Sequence, residues 1–275
     1  MHRAHRWTWV WIASPVATAS VVVVAFLSGC GGSGGVATAP PTLPGTLQGQ
    51  VGGLLTLLSP FLYNPTGNLP SSQQRSNCPT VVNNPDGSIT LDFGSGCQPF
   101  PGAPTHSGSV TISFQSNTTT VQFVNFNAGG GNVINGGFVY STASSNGFQV
   151  GGEFTATPVA NGSSCSVIYG FNGTLTPTSN GYLVEGESSQ IINPGPNEVR
   201  YQIVFDSVQW AQGCPYPNSG TATITPVDAS STPTGNPTVV TFGSPCGAAQ
   251  VQSGGNTYSA SLQNLPPFNL CAAVP

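Results

Sequence analysis

Hydrophobic and polar residues alternate along much of the chain from about residue 79 onward, and this period of two is typical of half-buried β-strands. The clearest alternating stretches are residues 89–93, 110–114, 119–126, 199–205 and 221–225. Dipeptides that accept the positive φ of tight hairpin turns recur along the same region: Asp86-Gly87, Asn135-Gly136, Asn146-Gly147, Asn161-Gly162, Asn172-Gly173 and Asn180-Gly181. The pattern predicts an all-β fold, an antiparallel meander of about twelve strands that forms a sandwich or a barrel.

One short helix is predicted ahead of the strands, over residues 47–62. Its apolar residues fall on one helix face: Leu47, Val51, Leu54, Leu55, Leu58 and Leu62. Asn64-Pro65 ends the pattern, and Gly52, Gly53 and Pro60 weaken it. We expect this helix to pack on the sheet or to cover the end of a barrel.

The N-terminus has the features of an export signal. Arg3 and Arg6 precede an apolar run from about Thr8 to Leu27, which ends in Leu27-Ser28-Gly29-Cys30. These four residues resemble the lipobox of bacterial lipoproteins. The resemblance implies that residues 1–29 are a signal peptide that is removed, and that Cys30 then carries diacylglycerol and an N-acyl chain such as palmitate.

Residues 30–44 are therefore expected to be the lipidated cysteine and a flexible tether, and residues 45–275 a single β domain. The partner implied first is the membrane, through the lipid. In a host with an outer membrane, the resemblance to lipoproteins further implies sorting to that membrane, because Gly31 rather than Asp follows the cysteine. A transmembrane anchor is the alternative, because the apolar run approaches the roughly 20 residues of a span; Pro15 weighs against it.

Charge is nearly absent from the chain and excludes several functions. Charged residues make up 4% of the sequence, against roughly 25% in ordinary soluble domains. There is no lysine, so a P-loop or a Schiff-base mechanism is excluded, and the basic surface that nucleic-acid binding needs is missing. A polar, uncharged surface suits an extracellular binding or structural module.

Six cysteines remain after Cys30, and an even number in an exported chain predicts disulfides. Pairing in sequence order would give Cys78–Cys97, Cys165–Cys214 and Cys246–Cys271. Metal binding is the alternative, but the chain has no C-x-x-C motif and only His106 lies beyond the signal. We expect no metal and no other cofactor.

A sequence motif occurs twice. A strand with an aromatic residue leads to a cysteine, a proline-rich loop, a Ser-Gly pair and another strand, once around Cys97 and Ser107-Gly108 and once around Cys214 and Ser219-Gly220. This echo predicts two related halves, residues 75–160 and 161–275, within the single domain.

Few residues are candidates for catalysis, and none is assigned a catalytic role. His106 stands in a proline-rich stretch and is expected to be a solvated loop histidine. Glu185 and Glu187 would project from one face of a strand. We interpret them as part of a solvated face; the alternatives are a Ca²⁺ site, partners for Arg200, or a glycosidase pair.

Three aromatic residues lie beside prolines near cysteines: Phe100, Tyr216 and Phe268. Each ring is expected to cover an end of the sheet against a disulfide. The alternative is that exposed rings stack on sugars, and Phe100 and Tyr216 are the candidate ligand contacts.

The sequence beyond the signal resembles uncharacterised bacterial surface and envelope lipoproteins. That resemblance implies a lipid-anchored envelope protein with a non-enzymatic binding or structural role, whose further partner would be a glycan or another envelope protein. One alternative is a carrier that holds an apolar ligand in a β-barrel, with the Leu-rich helix as its lid. The other is an enzyme that acts on glycans through Glu185 and Glu187.

Overall fold

The computed structural model describes residues 43–64, 78–99, 103–129, 131–144, 147–158 and 165–265. All of these residues belong to one compact unit, Ala39–Pro275. The signal, Cys30 and most of the tether lie outside the described residues, as do Phe100, Phe268 and Cys271.

The chain begins its described part with helix α1 (Gly45–Leu58), which continues directly into a 3₁₀ helix (Ser59–Tyr63). Thirteen strands follow: β1 (Thr80–Asn83), β2 (Ile89–Cys97), β3 (His106–Gln115), β4 (Thr118–Asn127), β5 (Asn132–Ser144), β6 (Gly147–Pro158), β7 (Val167–Thr178), β8 (Gly181–Ile192), β9 (Val199–Ala211), β10 (Ser219–Val227), β11 (Thr238–Gly243), β12 (Ala248–Ser253) and β13 (Asn256–Ser261). A second 3₁₀ helix, Leu262–Asn264, comes after β13.

All thirteen strands form one antiparallel sheet in which each strand pairs with its neighbour in sequence. The order runs from β1 to β13 without a crossover, and these two strands are its edges. This confirms the predicted all-β meander with one short helix at its N-terminal side.

The helical segment lies at the centre of the core. Tyr63 packs against Phe93 of β2 with ring centroids 5.8 Å apart, and Phe61 lies 6.4 Å from Trp210 of β9. In a flat sheet, strands spaced by about 4.8 Å would hold β2 and β9 about 34 Å apart. The sheet must therefore curl around the helical segment.

Helix α1 is buried because the sheet curls around it. Val51, Leu54 and Leu57 are fully buried, and they do not all lie on the one face that the sequence pattern marks. Gly53, which lowers helix propensity, allows close packing here: a Cβ at this position would lie 2.8 Å from Nε2 of Gln190. The helix is enclosed by the sheet rather than laid across its end.

Of the six predicted hairpin turns, two are correct and two are wrong, while Asn146 and Asn161-Gly162 lie outside the described residues. Asp86-Gly87 lies between β1 and β2, and Asn180-Gly181 leads from the β7–β8 turn into the first residue of β8. Asn135-Gly136 and Asn172-Gly173, in contrast, lie inside β5 and β7. A Cβ on Gly173 would lie 2.1 Å from the carbonyl oxygen of Glu185, so glycine is needed there for close strand packing and not for a turn.

Disulfides connect Cys78 with Cys97 and Cys214 with Cys246. The first pair follows the sequence order, but the predicted pairs Cys165–Cys214 and Cys246–Cys271 are wrong. Both β9 and β11 run antiparallel to β10, so the cysteines that follow them reach the same end of the sheet. Cys165 is also disulfide-bonded.

The echoed motif occupies matching register positions. The residue after each Ser-Gly pair faces an aspartate on the preceding strand: Ser109 pairs with Asp92, and Thr221 pairs with Asp206. The surroundings of the two glycines differ, because Gly108 approaches the following strand and Gly220 the preceding one. The proposed division into halves stays a prediction.

Neither the helix nor the 3₁₀ segments of the described chain combine the length and apolarity that crossing a bilayer requires.

Candidate functional site

A cavity of about 180 Å³ lies beside the helical segment. It forms where the starts of β3 and β5 come close to the ends of β9 and β13, which the curl of the sheet makes possible. The described residues around it are Leu55, Thr56, Leu58, Ser59, Leu62, Pro104, His106, Ala128, Gly129, Asn132, Ile134, Trp210, Pro215, Tyr216, Pro217, Leu262, Gln263 and Leu265.

The two loops that carry the echoed motif meet at this cavity. Pro104 comes from the loop between β2 and β3, and Pro215–Pro217 come from the loop between β9 and β10. Each loop starts close to a disulfide, at Cys97 or Cys214. The repeated sequence pattern therefore builds two walls of one cavity.

His106 is completely buried at the start of β3, so the expectation of a solvated loop histidine is wrong. Its position explains this: Val110 and Ile112 point into the core, and the alternation of β3 continues back to His106. The rings of Tyr63, Phe93 and Phe126 surround it, all with centroids within 6 Å. Extending the alternating pattern past Ser107-Gly108 would have revealed the burial.

The imidazole of His106 is neutral at physiological pH. Burial lowers its pKa from 6.5 to about 4, and burial also raises the pKa of Tyr63 well above its usual value. The Tyr63 hydroxyl and Nδ1 of His106 are hydrogen-bonded to each other. Either group can donate in this pair, since a neutral imidazole has two tautomers.

The Nε2 atom of His106 has no hydrogen-bond partner among the described residues, although it is buried. Unpaired buried polar atoms are rare because each costs about 1–3 kcal/mol.

Trp210 also has an unpaired buried nitrogen. Its ring is 1% exposed at the end of β9 and stacks on Tyr182 with centroids 5.0 Å apart. The indole Nε1 is buried without a hydrogen-bond partner in the described part of the chain. An indole nitrogen can only donate, so an acceptor is what this atom lacks.

The other described walls are mostly apolar and carry no charge. Leu55 and Leu62 turn partly exposed side chains of the helical segment toward the cavity. Among the polar lining residues, Asn132 donates to Oγ1 of Thr56 at 3.4 Å, and Thr56 donates to the carbonyl of Gly52. No Asp, Glu, Lys or Arg occurs among the described lining residues.

Tyr216, one of the two candidate ligand contacts, is a half-buried part of the cavity wall between Pro215 and Pro217. Burial raises the pKa of its phenol, so the hydroxyl stays protonated. Its role in binding stays a prediction. Phe100, the other candidate, lies outside the described residues.

Glu185 and Glu187 are exposed on the outer face of β8, and neither lines the cavity. Glu187 accepts a hydrogen bond from Gln202 at 3.3 Å. Arg200 pairs with Glu198, with Nε and Oε1 2.6 Å apart, and not with either of these glutamates. Within the described ranges, no group of His, Cys, Asp and Glu side chains is arranged to hold a metal ion.

The chain matches no protein-family model, no curated protein and no solved structure.

Proposed function

We propose that this protein is an exported lipoprotein of the bacterial cell envelope, anchored by lipid on Cys30, whose β domain has a non-enzymatic binding or structural role. The observation that carries the proposal is a lipobox-like motif, Leu27-Ser28-Gly29-Cys30, ahead of a disulfide-bonded β domain. Disulfides persist in the oxidising compartments that exported proteins reach. In a host with two membranes, Gly31 favours the outer membrane.

The chemistry of the described domain supports a binding role over a catalytic one. Its buried histidine is surrounded by aromatic rings, with no carboxylate among its hydrogen-bond partners. A general base needs a substrate proton within hydrogen-bond reach and an orienting group. The strand glutamates that a glycan-active enzyme would use are on the outer surface of β8.

Metabolic labelling with an alkyne analogue of palmitate tests the lipid anchor. The wild-type protein should incorporate the label and sediment with membranes, because two or more acyl chains give stable attachment. Cys30→Ala should lose both properties, whereas Ser33→Ala in the same tether should retain them. An unlabelled wild-type protein would contradict the proposal.

Separating inner from outer membranes on a density gradient tests the location, and added protease tests the face. Co-sedimentation with inner membranes would refute the outer-membrane assignment. Degradation of the protein in intact cells would support a surface role, and protection would favour a periplasmic one.

A carrier of a small apolar ligand is the second candidate, favoured by the cavity of about 180 Å³. The space between the sheet and the core side of α1 is filled by Leu54, Leu57 and Phe61, so the ligand would bind beside the helix and not beneath it. Mass spectrometry of the organic extract of the purified protein tests this role, and a protein that never carries a small molecule would refute it.

A further inference from the structure

Cys165, just before β7, is buried and disulfide-bonded. The two disulfides described above use four of the seven cysteines in the sequence. Cys30 and Cys271 are the two others, and the diacylglycerol proposed for Cys30 would occupy its thiol. Cys271 is therefore the partner that remains for Cys165, a step that rests on the proposed lipid anchor.

Cys165 lies at the same end of the sheet as one wall of the cavity. Ile134 of β5 lines the cavity and pairs with Ala156 of β6, and Ala156 pairs with Val167 of β7. Two strand spacings of about 4.8 Å place Val167 about 10 Å from Ile134. Because Cys165 comes two residues before Val167, it continues the end of the sheet to which the cavity wall belongs.

Another part of the cavity wall is formed by the chain that leads to Cys271. Leu265 and two residues of the 3₁₀ helix after β13 line the cavity. Leu265 is extended, with φ −63° and ψ 128°, as expected of a residue before proline. Pro266 and Pro267 come next, and consecutive prolines favour the extended polyproline II conformation.

The length of the chain between Leu265 and Cys271 restricts its route. The six Cα–Cα steps between them span at most about 20 Å. A bond to Cys165 must lead from the cavity, which Leu265 and Ile134 both line, to a point about 10 Å beyond Ile134. Little length is left for a detour, so this disulfide places residues 266–270 across the cavity.

Residues 266–270 also match the cavity in charge and size. The described lining holds no acidic or basic side chain, and the segment Pro-Pro-Phe-Asn-Leu holds none either. The cavity measures about 180 Å³, and an apolar cavity of about 150 Å³ in another protein takes up benzene. The ring of Phe268 has the size of that ligand, and it is apolar like the walls that Leu55 and Leu62 form.

We propose that residues 266–270 close this cavity and are fixed there by a disulfide between Cys165 and Cys271. The ring of Phe268 packs inside, against the apolar side chains of the helical segment. The cavity thus binds a segment of its own chain. An apolar ligand carried at this site, as in the second candidate function, has to displace the Phe268 ring first.

Peptide mapping of the full protein, extracted from membranes, tests the disulfide. Peptic fragments should contain Cys165 linked to Cys271, and reduction should separate them. A fragment that links Cys165 to Cys30 would overturn this proposal and the lipid anchor together. A Cys271 that is free or bonded to another cysteine would overturn this proposal alone, because palmitate labelling of Cys30 measures the anchor independently.

Nuclear Overhauser effects in the detergent-solubilised wild type test the position of Phe268. Its ring protons, assigned by comparison with Phe268→Leu, should show effects to the methyl groups of Leu55 or Leu62. Phe114, which is 56% exposed and does not line the cavity, is the control ring and should show none. The proposal is overturned if the Phe268 ring contacts neither leucine.

Benzene tests whether the Phe268 ring fills the cavity. Phe268→Ala leaves a space of ring size, so saturating benzene should raise the Tm of this variant by about 3 °C or more. The wild type and Phe114→Ala should shift by less than about 1 °C in the same detergent, because neither has such a space. An equal rise in the wild type would refute closure by Phe268 and support the carrier role. If Phe268→Ala does not fold, the disulfide and the contacts in the wild type still decide the matter.

Discussion

The hydroxyl of Tyr63 and Nδ1 of His106 share a hydrogen bond, and both residues are buried. Tyr63 ends the helical segment and His106 begins β3. One polar contact therefore joins the enclosed helix to the sheet in an otherwise aromatic environment.

Acid should destabilise the protein through His106. Its pKa of about 4 in the folded protein lies below the ordinary value of 6.5, so the unfolded chain binds more protons between these two values. The free energy of unfolding should therefore be unchanged above pH 6.5 and fall by about 3 kcal/mol as the pH drops toward 4. Urea unfolding at several pH values from 7.5 to 4.5 measures this dependence.

His106→Asn is the control for this prediction, since it removes the titrating group and should flatten the dependence over the same range. Asp86, Glu198 and Asp228 have pKa values held below the usual range by hydrogen bonds. The stability that these three carboxylates contribute is lost only at a pH below the range in which His106 titrates. An equal slope in the variant and the wild type would show that another group is responsible.

Phe61 should be one of the most important residues for stability. Its ring is fully buried and lies within 5.1 Å of the rings of Phe138 and Phe171. Phe61→Ala should lower the free energy of unfolding by about 3–5 kcal/mol. Phe114→Ala, at a ring that is 56% exposed, should change it by less than about 1 kcal/mol; similar losses in the two variants would refute the central position of the helical segment.

Gly173 should tolerate no side chain, because a Cβ there would lie 2.1 Å from a carbonyl oxygen of β8. Gly173→Ala should cost more than about 2 kcal/mol, through displacement of the paired strand. Gly45→Ala is the matched control at a position with open space, and it should be neutral or slightly stabilising. Thermal unfolding of both variants distinguishes a strand glycine from a turn glycine, and a harmless Gly173→Ala would favour the turn.

Peptide mapping should find Cys214 linked to Cys246. Digestion with pepsin at low pH suits this experiment, because acid suppresses disulfide exchange and the chain offers trypsin few sites. The bond closes a loop with a sequence separation of 32, and replacing both cysteines with serine should cost about 3–4 kcal/mol. A peptide that links Cys246 to Cys271 would instead restore the pairing in sequence order.

Local patterns predicted much of the fold because strands and the helix leave periodic signals. The alternation around Val110 and Ile112 indicates β3, and Asn180-Gly181 indicates the turn between β7 and β8. Asn172-Gly173 has the same composition as a turn but lies inside a strand, where the neighbouring strand leaves no room for a side chain at Gly173. This close contact exists only after the strands are paired, so the local sequence does not indicate it.

The candidate site was harder to predict, since it depends on the curl of the sheet. Nothing near His106 in sequence indicates Trp210, which is more than 100 residues away. The echoed loops were visible as a sequence pattern, and Tyr216 was identified as a candidate contact. That the loops approach one another follows only from the way the strands wrap around α1.

The linear order of the meander bears on how the domain assembles. Each strand finds its pairing partner immediately before it in the chain, and α1 precedes all thirteen strands. Pairing between sequence neighbours requires only short loops to close, which favours rapid folding. When the chain becomes available from its N-terminus, the apolar helix α1 is present before the strands. Each new hairpin can then pair with the edge strand of the sheet that has already formed around α1.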